Sequence, residues 1–168
     1  NQFSIGDYIK TEGVSGIVEE MGLRVTTLRE WSGELHIIPN GKITRVTNFS
    51  RGSTRALVEV KIAYEEDLDR AMQVLNGVTG EIAREHRDIV SEGPKVLGVS
   101  DLGDSGVLIR IVAMTKPLEH WGIEMELRRR IKEAFDREGI KIPYPRRYCI
   151  ISGVSVLEKE ETKPGNEG

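Results

Sequence analysis

At 168 residues, 38% hydrophobic and 30% charged, the chain has ordinary globular composition and enough length for one or two small cores. Its 24 basic groups against 27 acidic ones give a net charge of −3 with no basic patch, which removes the electrostatic reason to expect a nucleic-acid partner. The single Cys149 has no disulfide partner and no Cys or His at metal-ligand spacing, and no apolar run approaches the roughly 20 residues of a membrane-crossing helix.

From Asp7 to Phe49 the texture is short β-like runs punctuated by glycine: 7–10, 17–20, 23–29, 35–38 and 43–48. They are rich in Val, Ile and Thr and predict a small barrel. Glu12-Gly13, Ser32-Gly33 and Asn40-Gly41 offer residues that tolerate positive φ at the turns, and Pro39 ends the fourth run because it cannot donate to a ladder. After a linker at Arg51-Gly52-Ser53-Thr54, Val58, Val60, Ile62 and Tyr64 alternate with Glu59, Lys61 and Ala63 as in a half-buried strand.

Glu65-Glu66-Asp67 then places negative charge at a helix N-terminus, and Leu68, Met72, Leu75, Ile82 and Ile89 follow at helical spacing, predicting a helix to about Val90. Gly77 and Gly80 inside it predict a bend or a close contact, and Gly93-Pro94 ends the helical stretch. Strands are expected over 96–102 and 107–114, joined by the hairpin residues Gly103-Asp104-Ser105-Gly106. Trp121, Met125, Leu127, Ile131, Ala134 and Phe135 form a second amphipathic helix ended by Gly139, with Trp121 and Phe135 read as core, and Ile140–Pro143 as a further edge strand.

Strand, helix, strand, strand, helix is most of a split βαβ layer. Beyond the rigid Pro143-Tyr144-Pro145 joint, Tyr148, Ile150, Val154 and Val156 make one more apolar strand with no partner left in the chain. An unpaired apolar strand is a liability. Pairing with sister subunits around a symmetry axis resolves it, and folding back onto the second unit is the alternative. The end, 158–168, has disorder-like composition.

Assembled in order, these residues resemble the cytoplasmic region of the MscS-like mechanosensitive channel family. The motifs are Phe3-x-Ile5-Gly6-Asp7-Tyr8-Ile9, Gly16-Ile17-Val18-Glu19 with Leu23-Arg24-Val25-Thr26-Thr27, Ile38-Pro39-Asn40-Gly41-Lys42-Ile43, and Thr47-Asn48-Phe49-Ser50-Arg51. Further along come Ala63-Tyr64 with Asp67, Leu102-Gly103-Asp104-Ser105-Gly106, and Gly139-Ile140 through Ile142-Pro143-Tyr144-Pro145.

The resemblance implies an α+β chain with an Sm-like β-barrel domain over 1–52, a ferredoxin-like α/β domain over 53–145, an intersubunit β-barrel strand over 146–157 and a disordered tail over 158–168. It implies a homo-heptamer enclosing a vestibule through which ions and small osmolytes reach a membrane pore. The chain opens at Asn1 rather than Met, and the membrane helices are expected upstream of Phe3 in a longer protein.

Asn40 and Gly41 by themselves read as a turn. The resemblance places their loop and the Gly103 loop near the junction of the two domains, as gating candidates. Pro143, Pro145, Tyr148, Ile150, Val154 and Val156 are the assembly candidates. Arg146 and Arg147 depart from the family pattern and suggest a positive ring favouring anions.

Asp101, Asp104 and Ser105 lack the carboxylates of a Ca²⁺ loop and the Gly-x-Ser-x-Gly setting of a hydrolase. His36, His86 and His120 lack metal spacing and read as surface or packing residues. No acid/base pair, activated nucleophile or phosphate loop points to an enzyme or a cofactor. The alternative reading is an RNA-binding adaptor built on the same two folds, although 107–114 offers no aromatic for base stacking.

Overall fold

Ile9, Val18, Leu28 and Ile38 stand at inward positions of four successive short strands, and with Phe3 they bury one another into a first core. The computed structural model describes residues 2–144. Strands β1 (Tyr8–Thr11), β2 (Val14–Met21), β3 (Val25–Arg29), β4 (Leu35–Pro39) and β5 (Thr47–Asn48) form an antiparallel sheet in the order β4-β3-β2-β1-β5. Gly16 is required in β2, because a Cβ there would stand 2.5 Å from Arg29 O on the neighbouring strand.

The expected strand over 43–48 shrinks to Thr47–Asn48. Asn40–Lys42 form a single 3₁₀ turn. Beyond it Thr44 spends its N–H and hydroxyl on the Glu12 carboxylate, at 3.1 and 2.9 Å, instead of on a ladder. Ile43 and Val46 still pack onto the first core from this irregular stretch.

A second core forms where β6 (Thr54–Ile62), β7 (Val90–Gly103) and β8 (Gly106–Thr115) present one face to α1 (Leu68–Glu85) and α2 (His120–Glu138). The sheet order is β6-β8-β7, all antiparallel. Ala56, Val58, Val60 and Ile62 point inward, with Ile109, Ile111 and Ala113 opposite, and Leu75, Ile82, Leu127, Ile131 and Phe135 close the core from the helices. Asp67 caps α1 by accepting from Arg70 N–H at 3.1 Å, and Gly139 ends α2 at φ 70°.

Four further expectations change. The first helix stops at Glu85, not near Val90, because Ile89 and Val90 turn back onto His86 O and Ile89 O accepts from Lys116, recruiting the chain into the sheet. Gly77 and Gly80 mediate no close contact, since a Cβ at either would meet nothing within 4 Å. Gly93-Pro94, a cis peptide, lies inside β7 rather than before it; four register shifts along that strand let it carry a residue with no N–H to donate. Ile140–Pro143 form no strand: Lys141 O takes one bond from Ala63 N at 3.1 Å, while Lys141 N goes to Glu66 Oε1.

Candidate functional site

The two cores are joined by an aromatic cluster that local hydrogen bonds set in place. Phe49 N–H donates to Tyr8 O at 3.0 Å and Tyr8 N–H to Ser50 Oγ at 2.8 Å, so the segment after β5 zips onto β1 and brings the Phe49 and Tyr8 rings to 5.8 Å. Asn48 Nδ2 donates to Asp7 Oδ2 at 2.8 Å. That bond, with Ser4 N–H and the Arg51 guanidinium, holds the Asp7 carboxyl below the ordinary carboxylate range against its burial.

From the other side the first turn of α2 contributes His120 and Trp121. Trp121 meets Tyr8 edge-on at 5.5 Å and Phe49 at 5.9 Å, while the His120 ring lies nearly parallel to Phe49 at 6.3 Å and 4.0 Å from Trp121. Tyr8, Trp31, Leu118, Trp121, Gly122 and Met125 line a groove along this joint.

The second helix is fixed by charge as well as by packing. Glu124 accepts at 3.0 Å from Leu57 N–H, a donor left over because β6 is an edge strand. Arg130 bridges the helices by pairing with Glu126 at 2.6 Å and with Glu85 of α1. Hydrogen bonds from Arg129 and then Arg130 hold the Glu126 carboxyl down at about 2. This accounts for the Arg128-Arg129-Arg130 run, whose members pair with Glu124, Glu126, Glu133 and Glu85. The run is an ion-paired helix surface.

Two family profiles match: the β-domain of mechanosensitive ion channels over residues 1–51, and the C-terminal region of the mechanosensitive ion channel MscS over residues 56–142. The chain belongs to the MscS mechanosensitive channel family. A small-conductance mechanosensitive channel of Caldanaerobacter subterraneus subsp. tengcongensis is 43% identical over 152 residues, covering 90% of this chain and 54% of that protein. The moderate conductance mechanosensitive channel YbiO of Escherichia coli is 28% identical over 167 residues, covering 98% of this chain and 22% of that protein.

Among solved structures, Helicobacter pylori MscS in its closed state superposes with a TM-score of 0.76 at 24% identity, over 90% of this chain and 60% of that one. Arabidopsis thaliana MSL1 does so with a TM-score of 0.56 at 24% identity, over 86% and 53%. This chain thus spans only part of its relatives' length. No helix among the described residues is long and apolar enough to cross a membrane.

Within this MscS-family fold the motif residues separate into two places. Asn40 works inside the first unit: its Nδ2 donates to Gly22 O at 2.9 Å, its Oδ1 accepts from Thr26 Oγ1 at 2.8 Å, and its N–H donates to Arg24 O. The loop containing Asn40 and Gly41 is thereby clamped to the β2–β3 turn. Gly103 lies at the Ile62 end of β6, where its carbonyl accepts from Tyr64 Oη at 2.7 Å. Pro143 belongs to the same corner, since a Cβ on Gly106 would stand 2.9 Å from Pro143 Cγ.

The structure therefore groups Gly103 with Tyr64 and Pro143, and Asn40 with Gly22, Arg24 and Thr26. Tyr8, Phe49, His120 and Trp121 form the aromatic joint. Trp121, expected in the helix core, is half-buried at the joint instead, because the core stripe of α2 is Ile123, Leu127, Ile131, Ala134 and Phe135. The signal for it was present as a second apolar pair, Trp121 and Met125, beside that stripe. Pro145, Arg146, Arg147, Tyr148, Ile150, Val154 and Val156 lie outside the described residues.

Proposed function

We propose that this chain is the cytoplasmic vestibule module of a tension-gated MscS-family channel, a homo-heptamer whose membrane helices lie outside this sequence. Family membership running through both units supports it, and one structural observation carries it. The outer face of the first sheet, where cross-strand partners share a side, leaves Ile17, Val25, Leu35 and Ile37 uncovered, Ile37 at 64% exposure. Apolar faces of this kind mark association surfaces. Sister subunits are the occupants that family membership favours.

In this reading the first unit, 1–52, is Sm-like, which its five short antiparallel strands support. The second, 53–145, is ferredoxin-like, supported by the antiparallel β6-β8-β7 order with both helices on one face. Residues 146–157 supply the barrel strand, and 158–168 form the tail. Ions and small osmolytes are the permeants, and Arg146 and Arg147 bias them toward anions. The Asn40 and Gly41 loop and the Gly103 loop are the gating candidates in this reading.

The deciding measurement is patch-clamp recording of the full-length protein reconstituted in liposomes, with native mass spectrometry of the same preparation. Tension-gated current from a heptamer is expected. A protein that passes no current under tension overturns the reading, and reversal potentials unchanged by Arg146→Gln with Arg147→Gln remove the anion bias.

A further inference from the structure

His120 combines four features that are unfavourable for an imidazolium. Its side chain is buried, at 6% exposure, in the joint between the two units. Its Nδ1 is fully enclosed and has no hydrogen-bond partner among the described residues. It is the first residue of α2, where the positive end of the helix dipole opposes a cation. Its nearest ring neighbours, Phe49 and Trp121, cannot accept a conventional hydrogen bond through their rings.

We propose that His120 is a proton-operated latch: neutral, it packs between Phe49 and Trp121 and holds the two units together, and its protonation releases the joint. The titratable and charged groups around it do not rescue the cation. On its own helix, Glu119 makes no capping bond, and the Glu124 carboxylate is committed to Leu57 N–H and Arg128. From β1 and the segment after β5 come Tyr8 and the Asp7–Arg51 pair, the latter bonded to one another at 3.2 Å. Phe49 at 6.3 Å sits at the outer limit of useful cation–π distance, and although Trp121 at 4.0 Å lies inside it, that attraction is smaller than the cost of desolvating a charge that gains no hydrogen bond.

Burial lowers the His120 pKa below 6.5, with Glu124 opposing only in part. The sign follows from linkage. The open joint exposes the imidazole to water and binds protons more readily than the closed one, so the closed state loses ground as pH falls below about 6.5, by at most about tenfold in the open-to-closed ratio per pH unit. Below the pKa of the closed state the effect levels off.

The experiment uses this chain and does not depend on the channel reading. Trp31→Phe leaves Trp121 as the sole tryptophan of the two, and its emission is followed from about pH 7.5 to about pH 5, the range in which histidine charges. The same titration is run on Trp31→Phe with His120→Gln, and amide hydrogen exchange of residues 49–53 is compared between the two proteins at each pH. His36 and His86 are present in both and cancel.

The expected result is a Trp121 emission change on acidification, with exchange in 49–53 rising roughly fivefold or more over the Gln protein. Equal behaviour of the two proteins overturns the latch. So does an emission change without an exchange difference, which would be quenching inside a joint that stays closed. If His120→Gln fails to fold, His120→Phe, which fills the site and cannot be protonated, replaces it as the comparison.

Discussion

Asn40→Asp is the sharpest probe of the clamp that fixes the loop after β4. The side chain makes two bonds of opposite sense, donating from Nδ2 to Gly22 O at 2.9 Å and accepting at Oδ1 from Thr26 at 2.8 Å. Asp keeps the acceptor but turns a carboxylate oxygen toward a carbonyl oxygen. Losing one bond costs about 1 kcal/mol, and confronting Gly22 O with a like partial charge adds about 1–2 kcal/mol, for about 2–3 kcal/mol at neutral pH. Asn40→Ala, which loses both bonds without the repulsion, should cost about 2 kcal/mol.

The two variants separate by pH. Repulsion from Gly22 O raises the folded-state pKa of the introduced Asp above its unfolded value near 3.9, so its deficit is complete above that raised pKa. It shrinks as pH falls through it, when the protonated oxygen again donates to Gly22 O. Urea unfolding followed by circular dichroism, with wild type, Asn40→Ala and Asn40→Asp compared at the same pH, cancels titrations common to all three. An Asp variant within about 0.5 kcal/mol of wild type at neutral pH, or a deficit that does not change with pH, would refute the clamp.

Leu127→Ala, at a fully buried position of α2, should cost about 2–5 kcal/mol in the same assay. Glu126→Gln tests the clasp between the helices. With the Glu126 carboxyl at about 2 instead of 4.5, the gap at about 1.36 kcal/mol per pH unit is about 3 kcal/mol, and partial exposure reduces the usable part to about 1–2 kcal/mol. Because the folded pKa is depressed, wild type holds this contribution above pH 4.5 and loses it as pH falls toward about 2; the Gln variant should show a shallower acid slope in thermal unfolding across that window. Gly139→Ala, at φ 70°, should lower stability by about 1–2 kcal/mol without altering either core. Phe49→Ala should raise hydrogen exchange in residues 49–53 while leaving Gly106–Thr115 protected, since it removes ring contacts to Tyr8 and Trp121 but none within the second core.

Strand alternation was legible wherever one face is buried. Val58, Val60 and Ile62 announced β6, and Val107–Met114 announced β8, because period-2 apolarity and a buried face are the same physical fact. What the pattern could not carry was any decision taken by distant partners. Ile89 and Val90 keep helical spacing with Ile82, but Lys116, 27 residues beyond Ile89, claims the Ile89 carbonyl and ends the helix early. Thr44 looks like a strand residue until Glu12 takes its donors.

Trp121 was misplaced for a related reason. A helix with two apolar stripes does not say which meets its own sheet and which meets another unit, and only the contact with Tyr8, far away in sequence, decides it. Of the candidate residues, Gly103 was legible as a hairpin residue, since β7 ends on it and β8 begins at Gly106. The joint was not, because its four rings come from three separated segments.

The separation of the joint from the Gly103 corner has a mechanical meaning. Thr54 and Ile62 are the two ends of β6, about 26 Å apart at strand rise. The joint attaches near the first, through Phe49 before it and His120 after its partner Thr115, whereas Tyr64, Gly103 and Pro143 gather at the second. Between them β6 pairs residue for residue with β8 without a register shift, from Thr54↔Thr115 to Ile62↔Val107. An unbulged antiparallel pair backed by a packed core bends little, so β6 and β8 hold the joint and the corner at a fixed separation. The bulged β7, on the far side of β8, is where the sheet can yield.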